Sequence, residues 1–256
     1  MNYFFGIKSA ILDSKLTIPR FKNRDLTKKK YKLFQLEISN QMWEISKLDI
    51  VDSNSDFYEV DSSIIANDKV FFLATENDVL NFRDNNGSKL RNMNDYSDTS
   101  PDYRANLQVS IKDGGFSSYQ SEYPYSMVTK RGGVISSLSS LCSKSADWNV
   151  LFLKNIYELP IHEEFGIYFV NFKTKEVLKK EVGVTNFLNE IAIEKELIEP
   201  EIFLVTDKYI GVPVYCSIQN KHISFEHTHP PHEYIMSKDR FGTVSQLKKE
   251  FNEIIN

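Results

Sequence analysis

From Tyr31 onward, apolar and polar positions alternate with a period of two. Phe34, Leu36 and Ile38 fall on one face, with Gln35 and Glu37 between them. Successive side chains of a strand point to opposite faces, so this pattern predicts a strand buried on one side. Residues 43–45, 57–60 and 70–73 form further short apolar runs. Clusters such as Asp52-Ser53-Asn54-Ser55 separate them, and the first hundred residues read as a meander of antiparallel strands. Strand patterns resume at 107–111, 148–153, 166–172, 202–205 and 212–218. The turn Gln219-Asn220-Lys221 folds the last of these back into a strand over 222–227.

Two segments carry a helical period. Phe187, Leu188, Ile191, Ala192 and Ile198 recur at helical spacing and stop at Pro200, which predicts an amphipathic helix over 186–199. Thr243-x-x-Gln246 has the form of a capping box, and Val244, Leu247, Phe251, Ile254 and Ile255 give the segment behind it one apolar face. The expected fold is therefore α+β: mainly antiparallel sheet of many short strands, with amphipathic helices in the C-terminal half. Residues 84–101 are rich in Asp, Asn and Ser and suit an exposed loop or linker. They divide the chain into a β-rich subdomain, 1–98, and an α+β subdomain, 99–256, unless the two form one continuous domain.

Composition narrows the class. At 256 residues, 41% hydrophobic and 26% charged, the chain can bury a core without covalent staples. A net charge of -4 supplies no field to attract nucleic acid or an anionic membrane. The basic run over 20–32, with seven Lys or Arg against Asp25, reads as a solvated loop. The N-terminal residues have no basic lead before an apolar stretch, and no run approaches the roughly 20 apolar residues of a membrane span. With Cys142 and Cys216 alone, a reducing, cytoplasmic setting is expected.

Candidate chemistry concentrates at 226–233, Glu-His-Thr-His-Pro-Pro-His-Glu, which holds three of the five histidines. Strand alternation places His227 and His229 on the face of Ile223 and Phe225, and turns His222, Ser224 and Glu226 the other way. His227, His229 and His232 are the candidate ligands of a divalent metal such as zinc, which in catalytic sites keeps three protein ligands and one open position. His232 and Glu233 are the candidate acid–base pair. His227-Thr228-His229-Pro230 resembles the His-x-His-Pro core of the JAB/MPN metallopeptidases, with Ser237 at their serine spacing. Position 240, where that pattern has aspartate, is arginine.

A second stretch offers a ligand surface. Tyr119, Tyr123 and Tyr125 can stack on a sugar or other ring, and Lys130 and Arg131 precede Gly132-Gly133 in what reads as an anion-attracting turn opening a helix. The serines at 136, 137, 139, 140 and 143 lack the Gly-x-Ser-x-Gly elbow of a hydrolase nucleophile. Two functions follow. One is an enzyme acting on a small polar or carbohydrate-type substrate through the 226–233 site. The other is a non-catalytic glycan- or protein-binding module in which the histidine-rich loop is a rigid corner.

Overall fold

The computed structural model describes residues 2–19, 31–50, 56–85, 87–93, 104–112, 114–227 and 240–256. The basic segment 20–30, much of the expected linker and residues 228–239 lie outside the described residues. The chain divides into two compact units. One is Met1–Val128 with Ile156–Ile161, and the other is Thr129–Asn155 with His162–Asn256.

The first unit has two antiparallel sheets. The five-stranded sheet runs β4 (Met42–Lys47), β3 (Lys32–Ser39), β6 (Val70–Ala74), β1 (Asn2–Phe4), β9 (Tyr123–Pro124). The four-stranded sheet runs β5 (Phe57–Val60), β2 (Leu12–Pro19), β7 (Ala105–Ile111), β8 (Phe116–Ser121). Ser121 joins the sheets: its Oγ accepts the Phe5 N–H at 3.3 Å and donates to the Phe5 carbonyl at 3.0 Å. In β2, Leu12, Ser14, Leu16 and Ile18 are buried and the residues between them half-buried, a strict alternation. All five residues of β6 are buried, as in a central strand covered on both faces. The β3–β4 turn is made by Asn40 and Gln41, both at positive φ, as a two-residue hairpin requires. Helix α1 (Glu76–Asp84) starts at a capping box in which Thr75 and Asp78 satisfy each other's backbone amides, and it buries Val79 and Phe82.

The second unit repeats the two-sheet plan. One sheet runs β10 (Gly133–Ser137), β15 (Ile202–Thr206), β12 (Glu164–Asn171), β13 (Glu176–Val184). The other runs β14 (Leu188–Ala192), β11 (Trp148–Lys154), β16 (Val212–Gln219), β17 (His222–His227). Ser136 and Tyr215 hydroxyls meet between the sheets at 2.5 Å. Asn220 and Lys221, at φ 48° and 65°, make the β16–β17 hairpin turn. Helix α2 (Arg240–Ile255) lies on the β12 and β15 face: Phe251 is buried among Tyr168, Val170 and Val205, with Phe172, Phe203, Ile254 and Ile255 packed around it.

The fold is therefore mainly β, with 50% of residues in strand and 14% helical, and the α+β expectation is corrected. The helix predicted over 186–199 is instead strand β14 and a short 3-10 turn, Lys195–Leu197. Asn186, at φ 58°, turns the chain out of β13 and stops a helix from starting there. The segment after Gly133 is strand β10, paired with β15, where a helix was expected. Helix α2 begins at Arg240, so Thr243 lies inside it and is not its cap. Among the described residues, no helix is long and apolar enough to cross a membrane.

Candidate functional site

A part-buried polar cluster of the second unit forms where β12 begins and β15 ends. Tyr209 is fully buried, and its phenol donates to Glu163 Oε2 at 2.7 Å. Lys130 donates to Glu163 Oε1 at 3.3 Å and lies 5.3 Å from the Tyr209 ring centroid. The Tyr209 bond, helped by the Lys130 ammonium, holds the Glu163 carboxyl below the ordinary carboxylate range. Beside it, Asp207 accepts the Gly166 N–H at 2.9 Å and the Lys208 N–H at 2.6 Å through Oδ1, and the Tyr168 phenol at 3.3 Å through Oδ2.

The sequence builds this corner through Gly132. A Cβ on Gly132 would stand 1.9 Å from the Asp207 carbonyl oxygen and 2.4 Å from that of Thr206. Only a residue without a side chain lets the 130–133 segment approach the end of β15 so closely. Lys130 and Arg131 each form a β-bridge to Tyr209, so the Lys-Arg-Gly-Gly stretch is a strand crossing. Glu163 and Asp207 are both engaged by neighbouring donors, Glu163 with one bond to each oxygen and Asp207 with three bonds in all.

The histidine stretch is described only to His227. Register places Phe225 opposite Cys216 and His227 opposite Val214, so the two share a face, while Glu226 sits opposite Tyr215 on the other. The row through His227 continues across the sheet to Phe152 and Glu190. Glu190 is three strand spacings away, roughly 14 Å, too far to share an ion whose bonds are about 2 Å. Among the described residues, no group of three or more His, Cys, Asp or Glu can hold a metal ion, so the divalent-metal reading finds no support there. His229, His232 and Glu233 lie outside the described residues. His162 contacts the Thr185 carbonyl through Nδ1 at 3.0 Å, and His222 is exposed at the β16–β17 turn.

The tyrosines fall in the first unit, and Lys130 and Arg131 in the second. Tyr119 and Tyr123 are buried, and Tyr123 donates to the Ile156 carbonyl at 3.1 Å. Tyr125 donates to the Arg91 carbonyl at 3.0 Å. Burial pushes the Tyr119 phenol far above its ordinary value. Of the serines, Ser136 pairs with Tyr215, and Ser137 donates to the Pro200 carbonyl at 3.1 Å.

No protein-family model, curated protein or solved structure matches the chain.

One surface feature stands apart from these packed groups. Eight large apolar side chains are exposed among the described residues, and three of them, Val177, Leu178 and Val182, fall within six positions of β13. Register sets Val177 opposite Val170, Lys180 opposite Tyr168 and Val182 opposite Gly166, on the face that α2 shares. Leu178 sits at the bulge, where the pairing shifts between Phe169 and Val170. Lys179 and Glu181 point to the opposite face and pair at 3.0 Å, and Lys179 also reaches Glu194 at 2.8 Å and the Ala192 carbonyl at 3.0 Å.

The edge of β13 is poorly suited to accept another strand. The Asn189 side chain takes up both the N–H of Val184, at 2.7 Å, and its carbonyl, at 3.1 Å. The bulge and the two lysines are further devices that protect an edge. What remains exposed on the outer face is its side chains: Val177 and Leu178 at one end and Val182 at the other, with Lys180 between them. The signal in the sequence was Val177-Leu178, two adjacent apolar residues that break the alternation of β13.

Proposed function

We propose that this protein is a non-catalytic protein-binding module that meets its partner through the outer face of β13. The observation that carries this reading is the concentration of exposed apolar side chains at Val177, Leu178 and Val182, where the other five exposed examples are scattered along the chain. Clustered apolar exposure marks interaction sites, whereas isolated apolar residues on a surface are ordinary. We place the module in a reducing, cytoplasmic compartment, a reading supported by the free thiols of Cys142 and Cys216.

The test is proximity labelling in cells with the wild-type chain and with Leu178→Asp/Val182→Asp. Both positions are about half exposed, so the variant should keep the wild-type melting temperature to within a few degrees. The labelled set should lose its main proteins in the folded variant. An unchanged set would refute the assignment.

A further inference from the structure

Resting on the β13 binding surface just proposed, we infer that its partner presents a carboxylate flanked by two apolar side chains. The outer face reads apolar, cationic, apolar. Val177 and Leu178 stand at one end and Val182 at the other, with Leu178 and Val182 four residues or roughly 13 Å apart. Lys180 lies between them. Its ammonium is 5.2 Å from the centroid of the Tyr168 ring. Tyr168 is itself fixed, buried in the α2 contact and bonded through its phenol to Asp207. A lysine resting on an anchored ring loses less freedom on binding than one free to sample solvent.

The neighbouring charges leave this cation unmatched. Lys175 pairs with Glu250 at 2.8 Å, and Lys179 is engaged by Glu181 and Glu194 on the opposite face. Lys180 has no carboxylate partner among the described residues, and neither does Lys173 in the adjoining turn. With a net charge of -4, the chain as a whole does not draw anions, so this attraction is local and tied to the apolar pair. A cation whose surroundings become apolar on docking favours a partner that supplies the opposite charge at that point.

The experiment selects binders from a phage-displayed random-peptide library on the full chain and measures the enriched peptides by fluorescence anisotropy. The expected peptides carry Asp or Glu between apolar residues. Their affinity should fall at least tenfold on Leu178→Asp and on Lys180→Glu, and weaken with added salt. A peptide with its acid changed to Lys should bind Lys180→Glu better than it binds wild type. Lys180→Ala, checked by circular dichroism, guards against loss of fold and should show an intermediate loss. Peptides that respond to Leu178→Asp but ignore Lys180→Glu and salt would overturn the carboxylate inference while leaving the binding surface intact. Peptides indifferent to Leu178→Asp would overturn both. Self-association of the wild type in sedimentation, abolished by Leu178→Asp, would make the partner a second copy and overturn the inference.

Discussion

Gly132→Ala isolates one contact on which the second unit depends. No glycine in the described chain has positive φ, so alanine meets no conformational penalty at position 132, and the cost is steric. Its Cβ would lie 1.9 Å from the Asp207 carbonyl oxygen and 2.4 Å from that of Thr206, against the 3.0 Å below which Cβ atoms essentially never go. The obstacles are backbone atoms, so relief means moving the end of β15 by more than 1 Å, away from β10 and from the Asp207 bonds. Overpacking costs about 1–3 kcal/mol, and a rigid backbone obstacle belongs at the upper end, near 3 kcal/mol. At roughly 3 °C per kcal/mol this lowers the melting temperature by about 9 °C. Gly133→Ala is the control. Its Cβ would meet nothing nearer than Ile210 Cδ1 at 3.5 Å, an ordinary contact, and the change should stay within about 0.5 kcal/mol. Urea titration gives the two free energies, and hydrogen exchange on peptides spanning β10 and β15 localises the loss. Equal costs at the two glycines, or a Gly132→Ala protein as stable as wild type, would mean that the end of β15 yields freely and that the close approach at Gly132 is not required.

The same corner predicts an acid response. Glu163 is held below its ordinary value of 4.5, first by Tyr209 and then by Lys130. A depressed carboxyl contributes stability above its unfolded value and loses that contribution as pH falls through its folded value. The melting-temperature gap between wild type and Tyr209→Phe should therefore be widest near neutral pH and narrow in the acid range below 4.5, and a constant gap would argue against the bond. Burial pushes both the Cys142 and Cys216 thiols up to about 12. Alkylation with iodoacetamide near pH 8, followed by mass spectrometry, should run at least a hundredfold slower than for a free thiol of pKa about 8.5. Rapid labelling of Cys216 in the native protein would contradict its full burial.

Strands with one buried face were legible because register and burial impose the same period on them. In β7, Ala105, Leu107 and Val109 are buried between more exposed neighbours, and the alternation was plain in the residues themselves. In β14 that period fails. Asn189 occupies a buried position because its side chain is needed to cap Val184, and with a polar residue there the apolar set Leu188, Ile191 and Ala192 imitates a helix. Helix α1 buries only Val79 and Phe82 of its apolar residues and leaves Leu80 exposed, so its face is too narrow to announce itself by spacing. The signal that could have found it is the Thr75-x-x-Asp78 box, a matter of local hydrogen bonding and not of apolar spacing. The polar corner was out of reach for a different reason. Lys130, Glu163 and Tyr209 meet across separations of 33 and 46 residues, and nothing local to any of them records the meeting.

The β13 surface shows the same limit from the other side. Val177, Leu178 and Val182 are apolar in the way core residues are, and no property of their own sequence tells exposed from buried. α2 is laid over Tyr168, Val170, Phe203 and Val205 on β12 and β15 and also comes against β13, with Glu250 paired to Lys175 just before it, yet it leaves the Val177, Leu178 and Val182 side chains exposed. Strand pairing is discouraged by a bulge and by the Asn189 cap, so a partner gains more from the side chains of this face than from the backbone of its edge. Its specificity then rests on Lys180, whose position is set by a tyrosine that is itself held by Asp207 and by the helix.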